Sequence, residues 1–183
     1  RDIICSGKKK VVFIEYDLCK GQLLAPMYAI LIDRALANAL GGRQRIKTNK
    51  YFLLDEMLLL PKLKHLSDSL NFGRSLGVRV MCGLQNTCGL EEQYGEAGAK
   101  NILSSFQNMV AFRTSDYDSR RYVINRLGEN YQNFSLSAQQ ANINIQRAGH
   151  TVEDWNILNL KNGEAVVSLT GENPFLFTMP LYG

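Results

Sequence analysis

The sequence predicts an α/β fold in which a mostly parallel sheet is covered by helices on both faces. Short runs of apolar, β-branched and aromatic residues alternate with segments of helical apolar spacing through about residue 128. The apolar runs are continuous rather than alternating, which is typical of parallel strands buried on both faces. Near the C-terminus, two further runs joined by a turn predict an antiparallel edge to this sheet.

Length and composition fit one soluble domain. The 183 residues are 45% hydrophobic and 21% charged, and the net charge of +4 is too small to indicate nucleic-acid binding by itself. The cysteines form no C-x-x-C pair, and His65 and His150 lie far apart, so we expect no zinc site. No apolar run approaches the ~20 residues of a membrane span, and no signal peptide is visible. We therefore expect a reduced, cytoplasmic piece of a longer protein.

Each element is predicted from its own local pattern. Runs of β-branched and aromatic residues predict strands, whereas proline or a capping residue before helical spacing predicts the start of a helix. Pro26 and Pro61 are expected helix starts, Ser115 or Asp116 an expected cap, and Gly128 an expected helix end. The predicted strands are 8–17, 51–56, 78–85, 108–114, 164–169 and 175–179, and the predicted helices are 26–40, 61–74, 89–106 and 117–127, with a short helix or turn after 150.

Residues 129–149 differ from their surroundings in composition. They are rich in Asn, Gln and Ser and contain few large apolar residues. We expect an exposed excursion, either hairpin-like or poorly ordered. The segment is either an ordinary surface or a site of adaptable hydrogen bonding to a partner.

Two adjacent carboxylates, Asp55 and Glu56, follow the apolar run at 51–54. Functional groups in open α/β sheets collect at the carboxyl ends of the strands. In P-loop nucleoside triphosphatases, an aspartate at this place helps to hold Mg²⁺, usually through water, and an adjacent glutamate orients the attacking water. A strand that merely ends in two solvated acids has the same pattern, so the pair alone is a weak indication.

Gln85 ends the next predicted strand. Adjacent parallel strands would place its amide near the two carboxylates, where a neutral donor contacts a γ-phosphate or the attacking water. The alternative is a turn residue at the start of the following loop. Together the three residues favour the RecA-like core of a P-loop ATPase. The phosphate-binding half is missing, because no G-x-x-x-x-G-K-[ST] occurs in the sequence.

Arg74 lies at the end of the helix predicted between these two strands. In ring ATPases, an arginine from one subunit reaches the γ-phosphate bound by its neighbour and stabilises the transition state. A cation at a helix C-terminus is also stabilised by the helix dipole, and from chemistry alone we favour that explanation.

These segments together resemble the conjugative coupling proteins of type IV secretion, the TraG/TraD type. The resemblance rests on YFLLDE, on FGRSLGV, on a strand ending in Gln, on the block from residue 91 to 128 and on a closing strand, turn and strand. It covers roughly residues 8–128 and 150–180. The block from Gln85 to Lys100, continued by NILSSFQN, is its most specific part, whereas LLDE is shared with many ATPases.

The resemblance implies a ring-forming, RecA-like ATPase that uses ATP and Mg²⁺ to move DNA. Asp55 and Glu56 match the Walker B pair, with Asp55 holding Mg²⁺ through water. Gln85 matches the sensor glutamine and Arg74 the arginine finger that acts on the neighbouring subunit.

The resemblance also implies partners and a location. The full-length protein would form a hexameric ring, bind single-stranded DNA and contact relaxosome and secretion-channel proteins at the cytoplasmic face of the bacterial inner (plasma) membrane. The chain departs from the family because it lacks the Walker A lysine, the two membrane spans and the helical insertion domain. Residues 1–183 are therefore expected to be the C-terminal part of the motor domain. We expect this part alone to hydrolyse no ATP.

Two groups of basic side chains are candidate DNA contacts, because Lys and Arg bind phosphate in a salt-dependent way. A polar loop and a solvated helix face are the ordinary explanations for the same residues. Two other functions stay open: a non-catalytic module that docks secretion or relaxosome partners, and a different ring motor such as a chromosome-partitioning translocase or a viral packaging ATPase. The candidates are Arg43, Arg45, Lys47 and Lys50 in one loop, and Arg120 and Arg121 on one helix.

Overall fold

The computed structural model describes the backbone at residues 10–41, 49–138 and 141–180. The chain forms two compact units, Arg1–Phe106 and Gln107–Gly183. Helices and strands alternate in both units, so the fold is mixed α/β. The helices are α1 (Gly21–Leu40), α2 (Leu66–Phe72), α3 (Cys88–Tyr94), α4 (Glu96–Ser105), α5 (Tyr117–Leu127) and α6 (Asp154–Leu158). The strands are β1 (Lys50–Leu54), β2 (Val78–Cys82), β3 (Met109–Phe112), β4 (Glu129–Ala138), β5 (Ala141–His150), β6 (Glu164–Ser168) and β7 (Phe175–Thr178).

In the first unit, α1 begins earlier than Pro26 predicts. The Asp17 carboxylate accepts hydrogen bonds from the backbone N–H groups of Cys19, at 2.8 Å, and Lys20, at 3.4 Å. The Lys20 carbonyl then accepts the first helical hydrogen bonds. This local turn starts the helix at Gly21, and Pro26 lies inside it.

The predicted strand at 8–17 is wrong over the residues described there. Residues 10–17 have no regular secondary structure, and Phe13 is 90% exposed. β-Branched and aromatic composition favours a strand only where a neighbouring strand supplies the hydrogen-bonding partner. Among the described residues, no strand pairs with this run.

β1 and β2 form a parallel two-stranded ladder, as predicted, in which Leu54 pairs with Cys82 at the last position. The connection differs from the prediction, because Pro61 starts no helix. A 3₁₀ turn follows β1 at Met57–Leu59, α2 begins only at Leu66, and a second 3₁₀ turn, Gly73–Leu76, leads into β2. β2 ends three residues before Gln85.

The helix predicted at 89–106 is two helices, α3 and α4. Gly95 separates them with a φ of +77°, a conformation that favours glycine. The core of the first unit includes residues of α1 to α4, β1 and the segment that follows β1. Its buried members are Ala29, Leu36, Leu54, Met57, Leu60, Leu63, Leu66, Leu90, Tyr94, Ala99 and Ile102.

α1 is the one described helix whose length and composition would allow it to span a membrane. It has 20 residues, and the mean hydropathy of its most apolar window is 1.4. The expectation that no segment approaches a membrane span is therefore wrong by length and composition. Ala29 and Leu36 of α1 nevertheless belong to the unit's core, and Asp33 accepts a 2.8 Å hydrogen bond from the backbone N–H of His65.

In the second unit, the predicted helix α5 is confirmed at Tyr117–Leu127. The carboxylate of Asp116 accepts a 2.8 Å hydrogen bond from the backbone N–H of Ser119, so the expected N-cap is present. β4 and β5 pair as an antiparallel hairpin, which is one of the two forms predicted for 129–149.

The prediction of a mostly parallel sheet is wrong for the strands described. The antiparallel edge predicted near the C-terminus is confirmed, because β6 pairs antiparallel with β7. However, β3 also pairs antiparallel with β6, so the β1–β2 ladder is the one parallel pairing in the described part of the chain. The apolar composition of a strand does not set its direction, which depends on the path of the connecting chain.

The β1–β2 ladder is also less covered than predicted. In the first unit, Tyr51, Leu53 and Met81 lie on one face of the ladder and are more than 60% exposed. In the second unit, α5, α6 and the sheet share a small core. Its members are Ala111, Val123, Ile124, Ile157, Leu160 and Val166.

Candidate active site

The carboxyl ends of β1 and β2 continue their contact beyond the last strand pair. The backbone N–H of Gly83 donates to the Leu54 carbonyl at 2.8 Å, and the backbone N–H of Met57 donates to the Gly83 carbonyl at 3.2 Å. These two bonds hold the Asp55–Glu56 dipeptide against the end of β2. Asp55 itself is exposed at this edge.

Gly83 is required here by close backbone approach. A Cβ at this position would lie 1.9 Å from the Asp55 carbonyl oxygen, far inside contact distance. A glycine two residues before Gln85 was visible in the sequence, but its role depends on the pairing of two strands. Sequence reasoning therefore missed Gly83 as a residue that shapes the site.

Glu56 has a different environment from its neighbour. Its side chain is partly buried, and its Oε1 atom is buried without a hydrogen-bond partner among the described residues. Leaving a buried polar oxygen unpaired is unfavourable by roughly 1–3 kcal/mol.

Gln85 lies at the same edge of the ladder as Asp55, in an exposed position just beyond β2. The next residue, Asn86, accepts a 2.8 Å hydrogen bond through Oδ1 from the backbone N–H of Gly89 and so shapes the loop that enters α3. Asp55, Glu56 and Gln85 thus all follow the carboxyl ends of the paired strands β1 and β2.

Arg74 lies at the opposite edge. It is an exposed residue of the 3₁₀ turn that precedes β2, and the adjoining Gly77 carbonyl accepts a 2.7 Å hydrogen bond from the backbone N–H of Lys50 at the start of β1. A five-residue strand rises ~13 Å between its first and last Cα atoms. Arg74 and Asp55 therefore lie at different ends of the ladder.

Cys82, the last residue of β2, does not add a nucleophile to this edge. Burial raises the pKa of its thiol to about 12, so the thiol stays protonated. Among the described residues, no group of three or more His, Cys, Asp and Glu side chains is arranged to hold a metal. A cation at Asp55 would therefore need ligands from elsewhere.

The basic candidates have different surroundings. Lys50 Nζ donates to the Ala39 carbonyl at the end of α1, at 3.2 Å. Arg120 is only 9% exposed, and its guanidinium binds Asp154, at 2.7 Å, and the Ser115 carbonyl. That burial does not fit the expected DNA contact, since both partners lie within the second unit. Arg121 is exposed, whereas Arg43, Arg45 and Lys47 lie outside the described residues.

Comparison with known proteins identifies the family. Residues 1–175 match the family described as the type IV secretion-system coupling protein DNA-binding domain. The match covers almost the whole chain, so the chain belongs to this family. The resemblance to coupling proteins that the motifs indicated is thereby confirmed.

Curated relatives include protein VirD4 of Rhizobium rhizogenes, which is 30% identical over 132 residues, covering 68% of this chain and 20% of the relative. The type IV secretion system-coupling protein VirD4 of Bartonella quintana is 22% identical over 147 residues, covering 75% of this chain and 23% of the relative. The chain thus spans about a fifth of the length of these relatives.

Solved structures of the coupling protein TrwB show the same fold. The unbound monoclinic form of TrwBdeltaN70 superposes with a TM-score of 0.82 at 24% identity, covering 90% of this chain and 39% of that one. TrwB in complex with ADP and Mg²⁺ gives a TM-score of 0.76 at 24% identity, covering 90% of this chain and 38% of that one.

Proposed function

We propose that this chain is part of a ring-forming, ATP-driven DNA translocase, a coupling protein that delivers DNA or protein substrate to a type IV secretion channel in conjugation. One observation carries the proposal. An Asp–Glu pair and a glutamine lie at one edge of a parallel ladder, in a chain that belongs to the coupling-protein family. In this proposal the chain is the C-terminal part of a RecA-like nucleotide-binding domain.

The residues at this edge fit a magnesium nucleotide. Mg²⁺ prefers oxygen ligands and keeps several waters, which suits a single exposed carboxylate such as Asp55. When bound, the cation neutralises negative charge on the phosphates. Related TrwB proteins have been solved in complex with ADP and Mg²⁺ and with a non-hydrolysable ATP analogue.

Each side chain then has a separate role. Asp55 holds the cation through water, and the Gln85 amide donates a hydrogen bond toward the terminal phosphate or the attacking water. Glu56 orients that water through its partly buried carboxylate. The backbone cradle and lysine that bind the phosphates come from outside this sequence, so we expect no turnover by residues 1–183 alone.

The position of Arg74 supports a ring. Because Arg74 lies at the opposite end of the ladder from Asp55, its guanidinium is poorly placed for the site on its own subunit. An exposed arginine at that edge is free to reach a neighbouring site instead. We therefore propose that Arg74 acts in trans within a hexamer.

The DNA-binding role rests on family membership. The proposed contacts with single-stranded DNA are Arg121, Arg43, Arg45 and Lys47. Lys50 is a further candidate, although its ammonium already contacts α1. The proposed partners are relaxosome and secretion-channel proteins, and the proposed location is the cytoplasmic face of the bacterial inner membrane.

Glu56→Gln in the full-length protein tests the ATPase proposal. The substitution keeps the shape of the side chain and removes the carboxylate that orients water. We expect kcat for ATP hydrolysis to fall by ~10²–10⁴ while nucleotide affinity is retained, as measured by steady-state turnover and equilibrium binding of labelled ATP.

Glu92→Gln is the matched control. It makes the same chemical change, from a carboxylate to an amide, at an exposed residue of α3 that is not a candidate catalytic group. Its turnover should equal that of the unmodified protein. If Glu56→Gln retained full turnover, Glu56 would have no role in hydrolysis. DNA or partner binding without any ATP turnover by the unmodified protein would instead support the non-catalytic docking module.

A further inference from the structure

Two side chains at the end of α3 bind the chain segment that follows Glu56. The side-chain amide of Gln93 donates to the Leu60 carbonyl, and the Tyr94 hydroxyl oxygen accepts a 2.9 Å hydrogen bond from the backbone N–H of Leu63. Both contacts join residues more than thirty positions apart in the chain. Segment 57–65, meaning residues 57 to 65, is thus held to α3 through its backbone.

The other end of α3 contacts the same segment and also adjoins Gln85. A Cβ at Gly89 would lie 2.8 Å from Cδ1 of Leu58, so the first turn of α3 packs directly on the 3₁₀ turn after Glu56. The Gly89 N–H is in turn bonded to Asn86, the neighbour of Gln85. One short helix therefore contacts both chain segments that carry the candidate catalytic groups.

Tyr94 is suited to a fixed structural contact. Its side chain is 9% exposed, and the ammonium of Lys62 lies 5.6 Å from the centre of its ring. Burial raises the pKa of its hydroxyl, so the group stays neutral. The Leu63 N–H group that donates to this hydroxyl is buried as well. Removing the hydroxyl would leave the Leu63 N–H without its partner.

We propose that Gln93 and Tyr94 are positioning residues that hold Glu56 in register with Gln85. They act through the backbone of segment 57–65, and α3 transmits the position of one loop to the other. The proposal rests on the proposed ATPase function for its catalytic consequence. Its structural part, the bracing of segment 57–65, stands on the contacts alone.

The test compares Tyr94→Phe and Gln93→Leu with Glu92→Gln in the full-length protein. Phenylalanine keeps the ring and its contact with Lys62 but removes the acceptor of the Leu63 N–H. Leucine keeps much of the Gln93 volume but removes the donor to Leu60. We expect kcat for ATP hydrolysis to fall about 5- to 50-fold in Tyr94→Phe and in Gln93→Leu, with KM changed less than twofold. The reason is that a less firmly held Glu56 misplaces the attacking water.

A second readout separates this proposal from the ATPase proposal. Hydrogen exchange followed by mass spectrometry should show faster exchange over residues 55–65 in Tyr94→Phe and no change in Glu92→Gln. Unchanged exchange there would overturn the brace, whether or not the protein hydrolyses ATP. A third outcome is faster exchange in Tyr94→Phe with unchanged kcat, while the Glu56→Gln variant is inactive. This outcome would show that the Tyr94 contact is only structural, and it would overturn the positioning role. A rise in KM alone would overturn it as well.

Discussion

Gly83→Ala is expected to damage both the stability and the activity of the first unit. The added Cβ would lie 1.9 Å from the Asp55 carbonyl oxygen, whereas ordinary van der Waals contact begins at 3.4 Å. The two backbones must therefore separate by about 1.5 Å, the difference between these distances. The atom in the way belongs to the backbone, so no rotation of a side chain relieves the overlap.

The expected loss of stability follows from the hydrogen bonds that this separation breaks. The hydrogen bonds on either side, Gly83 N–H to Leu54 and Met57 N–H to Gly83, have lengths of 2.8 and 3.2 Å and would both lengthen beyond bonding distance. Each contributes ~1 kcal/mol, and overpacking adds ~1–3 kcal/mol. The free energy of unfolding should thus fall by about 3–5 kcal/mol, a large part of the ~5–15 kcal/mol of a typical domain.

The assay is denaturant unfolding of the full-length protein, followed by ATP turnover under conditions where the variant is folded. A displacement of about 1 Å at catalytic groups is able to reduce turnover by about 10²-fold, so kcat should fall even in the folded variant. Gly41→Ala is the control. Gly41 has a φ of −78°, which alanine adopts freely, and its Cβ would meet the Ala37 carbonyl at 3.3 Å.

Gly41→Ala should change stability by less than about 1 kcal/mol. If Gly83→Ala were as stable and as active as Gly41→Ala, the close approach of β1 and β2 at Asp55 would be wrong. Asp55 and Gln85 would then not share one end of the ladder.

Two further predictions concern Arg74 and Asp116. Arg74→Ala and Glu56→Gln subunits should each be inactive alone but regain ATP turnover when mixed. In the mixture, some interfaces combine an intact Glu56 with an intact Arg74 of the neighbouring subunit. Mixtures that stay inactive would contradict action in trans. Hydrogen bonds from the side chain and backbone of Ser119 hold the pKa of Asp116 below its ordinary value of 3.8. The ionised Asp116 carboxylate therefore stabilises the fold above pH 3.8, and this stabilisation is lost as the pH falls through the folded-state pKa. Asp116→Ala should therefore lower Tm at pH 7, with the difference from the unmodified protein shrinking in strong acid, whereas Asp116→Asn should keep the cap. Equal Tm values for the unmodified protein and Asp116→Ala at pH 7 would remove the capping role.

The sequence alone predicted the elements whose signals are local. The Asp116 cap and Gly128 bounded α5 because capping depends on a few neighbouring residues. The Asp–Glu pair after an apolar run and the glutamine after the next run indicated the candidate site, and the motif pattern indicated the coupling-protein family. These features need no knowledge of distant contacts.

Tertiary structure decided what depends on pairing between distant segments. Residues 10–17 have strand composition but no partner strand in the described chain, and β3 runs antiparallel to β6 because of the path of the chain between them. The roles of Gly83, Gln93 and Tyr94 also appear only when β2 and α3 meet the segment after β1. Local chemistry thus determined which residues are able to act at the site, whereas packing between distant segments determined how they are held together.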